Sequence, residues 1–364
     1  MRTGARGMTE LAFYQGKKVF ITGHTGFKGA WLCRLLAAAG ADVTGYALDP
    51  PTEPSLFRLS AAEELIRSVT GDVRDLPRLK AAMDEAQPEI VLHLAAQPIV
   101  RESYQNPVYT YDTNVMGTVN VLECVRLSDT VQSVVNVTTD KVYWNRERAE
   151  GYREDEELKG YDPYSNSKSC SELVTYSYNN AFFSGANGQP VLPVSTARAG
   201  NVIGGGDFAK DRIIPDCVRA AVAEKPIIVR NPDSTRPYQH VLEPLFAYLL
   251  IARRQMETPA LAGCYNVGPD DEGCYTTGAL VDVFVRAWGE GLTRVDLPNP
   301  NAVHEANFLK LDCTKLKQTF GWKPRWTLET AVEKTVEWAK VWQTGGDVGA
   351  LMDAQIAAFM QAGG

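Results

Sequence analysis

A chain of 364 residues has room for about two domains, and 45% hydrophobic with 22% charged residues is the composition of a globular protein with a sizeable core. The formal charge of −7 argues against non-specific nucleic-acid binding, though it leaves room for local basic patches that hold phosphates. The seven cysteines (33, 124, 170, 217, 264, 274 and 313) form no C-x-x-C pair, so reduced thiols in a cytoplasmic protein are expected rather than a disulfide framework or a zinc site.

The start, M-R-T-G-A-R-G-M-T-E, lacks the apolar core of a signal peptide, and Met8 offers an alternative start. No apolar run approaches the ~18 residues of a membrane helix. From 18 onward the order is Val19-Phe20-Ile21-Thr22, a buried-strand pattern, then Gly23-His24-Thr25-Gly26-Phe27-Lys28-Gly29, then an apolar helix over 30–39 closed by Gly40. A second strand over 43–47 completes one parallel βαβ unit. Glycines at 23, 26 and 29 let backbone N–H groups and a helix N-terminus approach a pyrophosphate. Thr25 and Phe27 lie in the same turn. Asp49 either accepts ribose hydroxyls of a dinucleotide or is a solvated loop acid that Pro50-Pro51 carry away. No Lys or Arg between 41 and 57 offers to neutralise a 2′-phosphate, which favours NAD over NADP.

Asp72 and Val73 follow a third short strand, where Asp72 is placed to accept from an adenine amino group. The run 89–94 is a buried strand that opens into Ala95-Ala96-Gln97, small residues past which a ligand can lie. His93 reads as a satisfied core residue. A long helix over 107–127 carries Asn114, expected to bond neighbouring backbone. The strand from 131 ends in Thr138-Thr139-Asp140-Lys141. A helix over 163–183 then places Tyr164 and Lys168 four apart, on one face. A strand over 191–196 follows.

This alternation predicts an α/β fold, a doubly wound Rossmann-like parallel sheet, with ligands at the carboxyl ends of the strands. The dinucleotide-binding domain is expected over 16–197 with a returning segment about 236–268. A smaller substrate domain is expected from 198–235 and 269–364. Beyond 198 we expect a loop over 199–207, a helix from Arg212 and a strand over 227–230. Arg212, Arg230 and Arg236 are either scattered surface arginines or guanidinium forks for a second, substrate-borne pyrophosphate. A stripe of Leu328, Ala331, Val332, Thr335, Trp338, Ala339 and Trp342 marks the core face of a helix. No metal-ligand cluster is visible.

Taken in order, G-H-T-G-F-K-G-A-W-L (23–32), H-L-A-A-Q-P (93–98), T-N-V-M-G-T (113–118), T-D-K (139–141), G-Y-D-P-Y-S-N-S-K (160–168), R-A-G-N-V-I-G-G-G-D (198–207) and R-P-Y-Q-H-V-L-E-P-L (236–245) resemble the extended short-chain dehydrogenase/reductases. Within them the chain is similar to the nucleotide-sugar 4,6-dehydratases, with H-E-A (304–306) and L-K-L-D (309–312) extending the match. Phe208 and Tyr238 stand where Trp is usual, and Trp144 where an acid is common.

The resemblance implies NAD as cofactor, a nucleotide sugar with CDP-glucose preferred, and a homodimer formed through the two long helices. It also implies a cycle of oxidation at carbon 4, loss of water across carbons 5 and 6, and hydride return to carbon 6. Tyr164, Lys168 and Thr139 would serve the oxidation. Asp140 would be the acid at carbon 6, once burial raises its pKa. Lys141, where dTDP-glucose relatives have Glu, would be the base at carbon 5 if desolvated or crowded by cations, and otherwise an enolate-stabilising cation. Asn201, Arg212, Arg230, Arg236 and His304 would hold the substrate. A 4-epimerase shares the cofactor and the Tyr164/Lys168 pair but has no use for an acid at 140.

Overall fold

The structure, a computed structural model, describes residues 10–186, 188, 191–270, 273–289, 291–297 and 308–362. His304 and the 304–306 motif therefore lie outside the described residues. Strand β1 (Lys18–Thr22) shows why the sheet forms where it does. Val19 and Ile21 join one apolar cluster and Phe20 joins another, so alternate side chains bury on opposite faces. Around it are β2 (Asp42–Ala47), β3 (Arg67–Thr70), β4 (Ile90–His93), β5 (Ser133–Thr139), β6 (Val194–Ala199) and β10 (Cys264–Val267). They run in the order β10-β6-β5-β4-β1-β2-β3, and every pairing is parallel. This is the expected doubly wound sheet.

Its first face packs on helices Phe27–Ala38 and Leu242–Glu257 through Trp31, Leu32, Leu245 and Leu249. The second packs on Leu76–Ala86 and Gly117–Arg126 through Leu79, Met83, Val121 and Val125. Strand order reverses between β1 and β4, and such a reversal opens a crevice beyond the carboxyl ends of the strands. Thr22, His93 and Thr139 are the last residues of three strands at that edge.

A smaller unit carries β8 (Ile227–Val229) beside β12 (Arg294–Asp296), and a three-stranded sheet of β7 (Asn201–Ile203), β9 (Thr235–His240) and β11 (Cys274–Thr276). Helices Ile213–Val222, Thr277–Trp288 and Leu328–Gln343 cover them around a separate apolar cluster. In the last helix the expected stripe is buried at Leu328, Ala331, Val332, Thr335, Trp338 and Ala339, and Thr327 caps it by accepting from the Thr330 N–H. Trp338 lies over Gly205, where a Cβ would come within 2.0 Å of the indole. That explains the glycine at 205.

Three expectations are corrected. The stretch 199–207 is not all loop: β7 lies within it, held by parallel pairing to β9. Strand β6 begins at Val194 rather than 191, after Pro193, which has no N–H to give a ladder. Both long helices contain a π turn, Asp112–Met116 and Asn179–Phe183.

Candidate active site

The glycine turn is built by close contact. Gly23 has φ 79°, and a Cβ there would lie 2.7 Å from the Ala95 nitrogen; a Cβ on Gly29 would meet the Gly23 carbonyl. Gly26, by contrast, is uncrowded, since a Cβ there would meet only the Gly23 carbonyl at an ordinary 3.5 Å, and it lines a cavity at the start of helix Phe27–Ala38. Thr25 donates its hydroxyl to the Leu48 carbonyl at 2.9 Å, fixing the turn against the end of β2. Asp49, Asp72, Val73, Ala95, Ala96 and Gln97 line the same cavity.

Two of these differ from the simple expectation. Both oxygens of Asp72 already accept from Arg74, at 2.6 Å from Nη2 and 3.1 Å from Nε, and this guanidinium holds the carboxyl below its usual range. An adenine amino group would have to share it. Gln97 turns its side chain into the scaffold, bonding Thr110 and the Ile99 N–H, rather than toward a ligand. His93 is buried between Thr22 and Thr118 hydroxyls, 2.7 and 3.3 Å away, with its pKa pushed down to about 3 by burial. Asn114 bonds the Gln97 backbone at both amide ends and also reaches Ser167.

At the end of β5 the sequence residues come together. The Thr139 hydroxyl donates to Asp140 Oδ1 at 3.0 Å, and the Lys141 amine lies 3.1 Å from the same oxygen. Asp140 is fully buried, and its Oδ2 has no partner. Lys141 also reaches Asn201 Oδ1 at 3.4 Å. Tyr164, on helix Pro163–Tyr178 capped by Asp162, closes the group. Burial pushes its phenol up, while Lys141, Thr139 and Arg212 pull it down. The cation that most favours the phenolate is thus Lys141, not Lys168 as the four-residue spacing suggests. Lys168 is buried, donates to the Val137 carbonyl at 3.1 Å, and is lowered to about 8 by burial, with Glu172 opposing.

Glu172, one turn past Lys168, is a support that the sequence reading missed. It pairs with Arg198 at 2.9 Å and accepts from Thr138 and Thr196, which tethers the helix to β5 and β6. Lys28 was also missed as a site residue, although it stands inside the glycine turn. It lines the cavity, and burial pushes its amine down to about 7, with Arg212, Lys168 and Lys141 adding and Asp140 opposing. A charged residue in an otherwise apolar helix start was the available signal.

The sign of this shift makes a prediction. Unfolded, the lysine titrates near 10.4. Between pH ~7 and ~10 the unfolded chain therefore holds a proton that the folded one has lost, and folding stability gains as pH rises. Below that window the folded chain bears the full cost of the charge. Lys28→Met should be more stable than the parent at pH 6–7, by about 1–2 kcal/mol once screening by water in the cavity is allowed for. The gap should narrow toward pH 10. Urea unfolding of both proteins at several pH values checks this.

Farther along the cavity, Arg212 pairs with Asp207 at 2.9 Å, Arg230 lies 3.4 Å from Asp211, and buried Arg236 donates to the Thr235 carbonyl at 2.9 Å. Asn201, Arg212, Arg230 and Arg236 all line the volume that holds the glycine turn and Tyr164. That volume is about 1630 Å³, well above the ~300–1,000 Å³ of an ordinary small-ligand pocket. It has room for a dinucleotide and a second nucleotide together.

A doubly wound sheet, a glycine turn at its switch point and a Thr/Tyr/Lys group at a strand tip define an extended short-chain dehydrogenase/reductase. Residues 20–335 match the family described as GDP-mannose 4,6 dehydratase, and the chain belongs to that family. It is 48% identical over 357 residues to the CDP-glucose 4,6-dehydratase of Salmonella typhimurium, covering 98% of this chain and 99% of that one. A probable dTDP-glucose 4,6-dehydratase of Sinorhizobium fredii is 29% identical, covering 88% and 92%. Two solved structures share the fold. A UDP-glucose-4-epimerase of Stenotrophomonas maltophila with bound NAD and formylated UDP-arabinopyranose superposes with a TM-score of 0.78 at 22% identity, covering 91% of this chain and 100% of that one. The dTDP-glucose 4,6-dehydratase of Bacillus anthracis in complex with NAD gives 0.74 at 21% identity, covering 89% and 97%.

Proposed function

We propose that this chain is an NAD-dependent hydro-lyase that converts CDP-glucose to its 4-keto-6-deoxy derivative. One observation carries the reading: a hydroxyl, an amine and a phenol (Thr139, Lys141 and Tyr164) line the cavity together, with the buried Asp140 carboxylate bonded to the first two just beneath them. An epimerase has no use for the carboxylate. The identity to a CDP-glucose enzyme favours that nucleotide.

The residues fit NAD. Gly26 lines the cavity with no side chain to shield its backbone from a pyrophosphate, Asp49 borders the cavity, and no Lys or Arg lies between 41 and 57. Held by these residues, NAD would supply the hydride acceptor and donor for the exchange between carbons 4 and 6. The protein's part is proton handling. Tyr164 takes the proton of the carbon-4 hydroxyl, oriented by Thr139. Ionising a free phenol at neutral pH costs about 4 kcal/mol; burial and Asp140 raise that cost here, and Lys141, Thr139 and Arg212 offset only part of the increase. The carbon-4 ketone acidifies the carbon-5 proton, which passes to Lys141 as the carbon 6–oxygen bond breaks. The hydroxyl leaves as water with the proton of Asp140, and as hydride reaches carbon 6 the Lys141 ammonium, exchanged with solvent, returns a proton to carbon 5.

The 3.1 Å contact between Asp140 and Lys141 shapes this step. As an ion pair neither is ready, because the amine holds the proton that the carboxyl must give. In water the ion pair is favoured over the neutral pair by about 9 kcal/mol. One proton moved from Nζ to Oδ1 makes both the acid and the base.

Turnover of CDP-glucose with NAD, followed by the alkaline absorbance of a 4-keto sugar, tests the assignment. It should exceed turnover of dTDP-, UDP- and GDP-glucose by at least tenfold. Faster turnover of another hexose would reassign the nucleotide, and a carbon-4 epimer without a keto sugar would reassign the reaction.

The protein is further read as a cytoplasmic homodimer. Exposed Val108, Leu173 and Tyr176 lie on the two long helices, a face that pairing with a second copy would cover. The seven cysteines are free, as suits a reducing compartment. No helix among the described residues is long and apolar enough to cross a membrane.

A further inference from the structure

Asp211 sits between two arginines that come from opposite banks of the cavity. Arg101 reaches it from the short helix Val100–Gln105, which follows β4 of the large sheet, at 2.8 Å. Arg230 reaches it from the end of β8 in the smaller unit, at 3.4 Å. Both contacts go to the same oxygen, Oδ1. All three residues line the cavity. Asp211 is also one of few non-glycine residues with a left-handed backbone, φ 60°, immediately before Arg212, the N-cap of helix Ile213–Val222. Such a backbone is tolerated by Asp and Asn better than by other side chains.

Two guanidinium groups converging on one carboxylate oxygen make a site with the charge and geometry for a phosphate oxygen. The pairs are about one-third to one-half exposed, so each is weakly held and open to exchange. A diphosphate brings two negative charges against the single one of Asp211, and it competes for both arginines.

We infer that Asp211 is the exchangeable counter-ion of a phosphate-binding pair, and that Arg101 is a diphosphate-binding residue contributed by the dinucleotide-binding half of the cavity. Binding of a diphosphate releases Asp211 and leaves the arginines bridging the two banks through the ligand. The inference rests on the proposed nucleotide-sugar function. The shared chemistry is a diphosphate, and two sources bring one to this cavity: the nucleotide sugar and NAD. Position favours the first, since Arg230 belongs to the smaller unit while the glycine turn lies at β1.

The test is titration calorimetry of CDP and of NAD, separately, into the full-length protein and into Asp211→Asn, Arg101→Gln and the double variant. Asparagine keeps the left-handed backbone tolerable, and thermal unfolding checks that each variant folds. Asp211→Asn should tighten CDP about three- to tenfold. Arg101→Gln should weaken it about tenfold. In the double variant the gain from Asp211→Asn should shrink to twofold or less, because half of the counter-ion's hold is already gone. NAD affinity should stay within twofold throughout. CDP binding unchanged or weakened in folded Asp211→Asn overturns the counter-ion role. Changes confined to NAD assign the pair to the cofactor and overturn the substrate-side reading. If the parent protein binds NAD but no nucleoside diphosphate, the proposed function fails and this inference with it. If the parent binds CDP and the variants do not differ, only the inference fails.

Discussion

Tyr164→Phe is expected to lower kcat on CDP-glucose by about 10³-fold, within the range general-base catalysis contributes, while CDP and NAD affinities stay within a few-fold. The phenol oxygen is the one acceptor of the group that sits under cation influence and is not already committed to an ion pair. Lys141, Thr139 and Arg212 all favour its ionised form. Phenylalanine keeps the ring and its packing on helix Pro163–Tyr178, so the loss isolates the oxygen. Steady-state kinetics on the two proteins, with calorimetric affinities, checks this. A loss of tenfold or less would mean that another group takes the carbon-4 proton. Lys168→Met should cost less in kcat and more in cofactor affinity, because its amine is bonded to the Val137 carbonyl rather than aimed at the phenol.

The second large effect is expected at Lys141. Lys141→Met should abolish product release to below about 10⁻² of the parent rate, yet leave oxidation at carbon 4 observable. Rapid mixing with CDP-glucose should then show reduced nicotinamide absorbance that accumulates and persists, whereas in the parent protein it is transient. The reasoning is geometric: the amine is 3.1 Å from the carboxylate that must be protonated, so removing it removes both the acceptor of the carbon-5 proton and the donor that recharges Asp140. Product formation within tenfold of the parent rate would show that water or another group moves that proton. Lys141 would then be an enolate-stabilising cation. Cofactor reduction should itself be slower than in the parent, because Lys141 also favours the phenolate; its complete loss would mean that this is the main role of the amine.

Much of this site was legible from residue order. A strand that alternates between two buried faces, a turn of three glycines and a helix of Trp31 and Leu32 can be read locally, because each depends on neighbours within a few positions. Tyr164 and Lys168 share a face by helical geometry alone. Other features depend on contacts far apart in sequence, which explains why they were missed. Lys28 looks like part of a glycine motif until Lys141, Lys168 and Arg212 are brought beside it. β7 is three residues long and has no periodic pattern; only its pairing with β9, more than thirty residues on, makes it a strand. Asp72 was read for its place after β3, whereas Arg74, two residues later, occupies both its oxygens. Charge partners and short strands are decided by the fold, not by local preference.

The most direct measurement follows an atom through the reaction. CDP-glucose carrying deuterium at carbon 4 should give a 4-keto-6-deoxy product with that deuterium at carbon 6, and with solvent hydrogen at carbon 5. This is expected because one hexose ring stays against one nicotinamide while Tyr164, Lys141 and Asp140 move its protons. Deuterium retained at carbon 4 of a recovered hexose, inverted or not, would contradict the account, as would a keto product with the label lost to solvent.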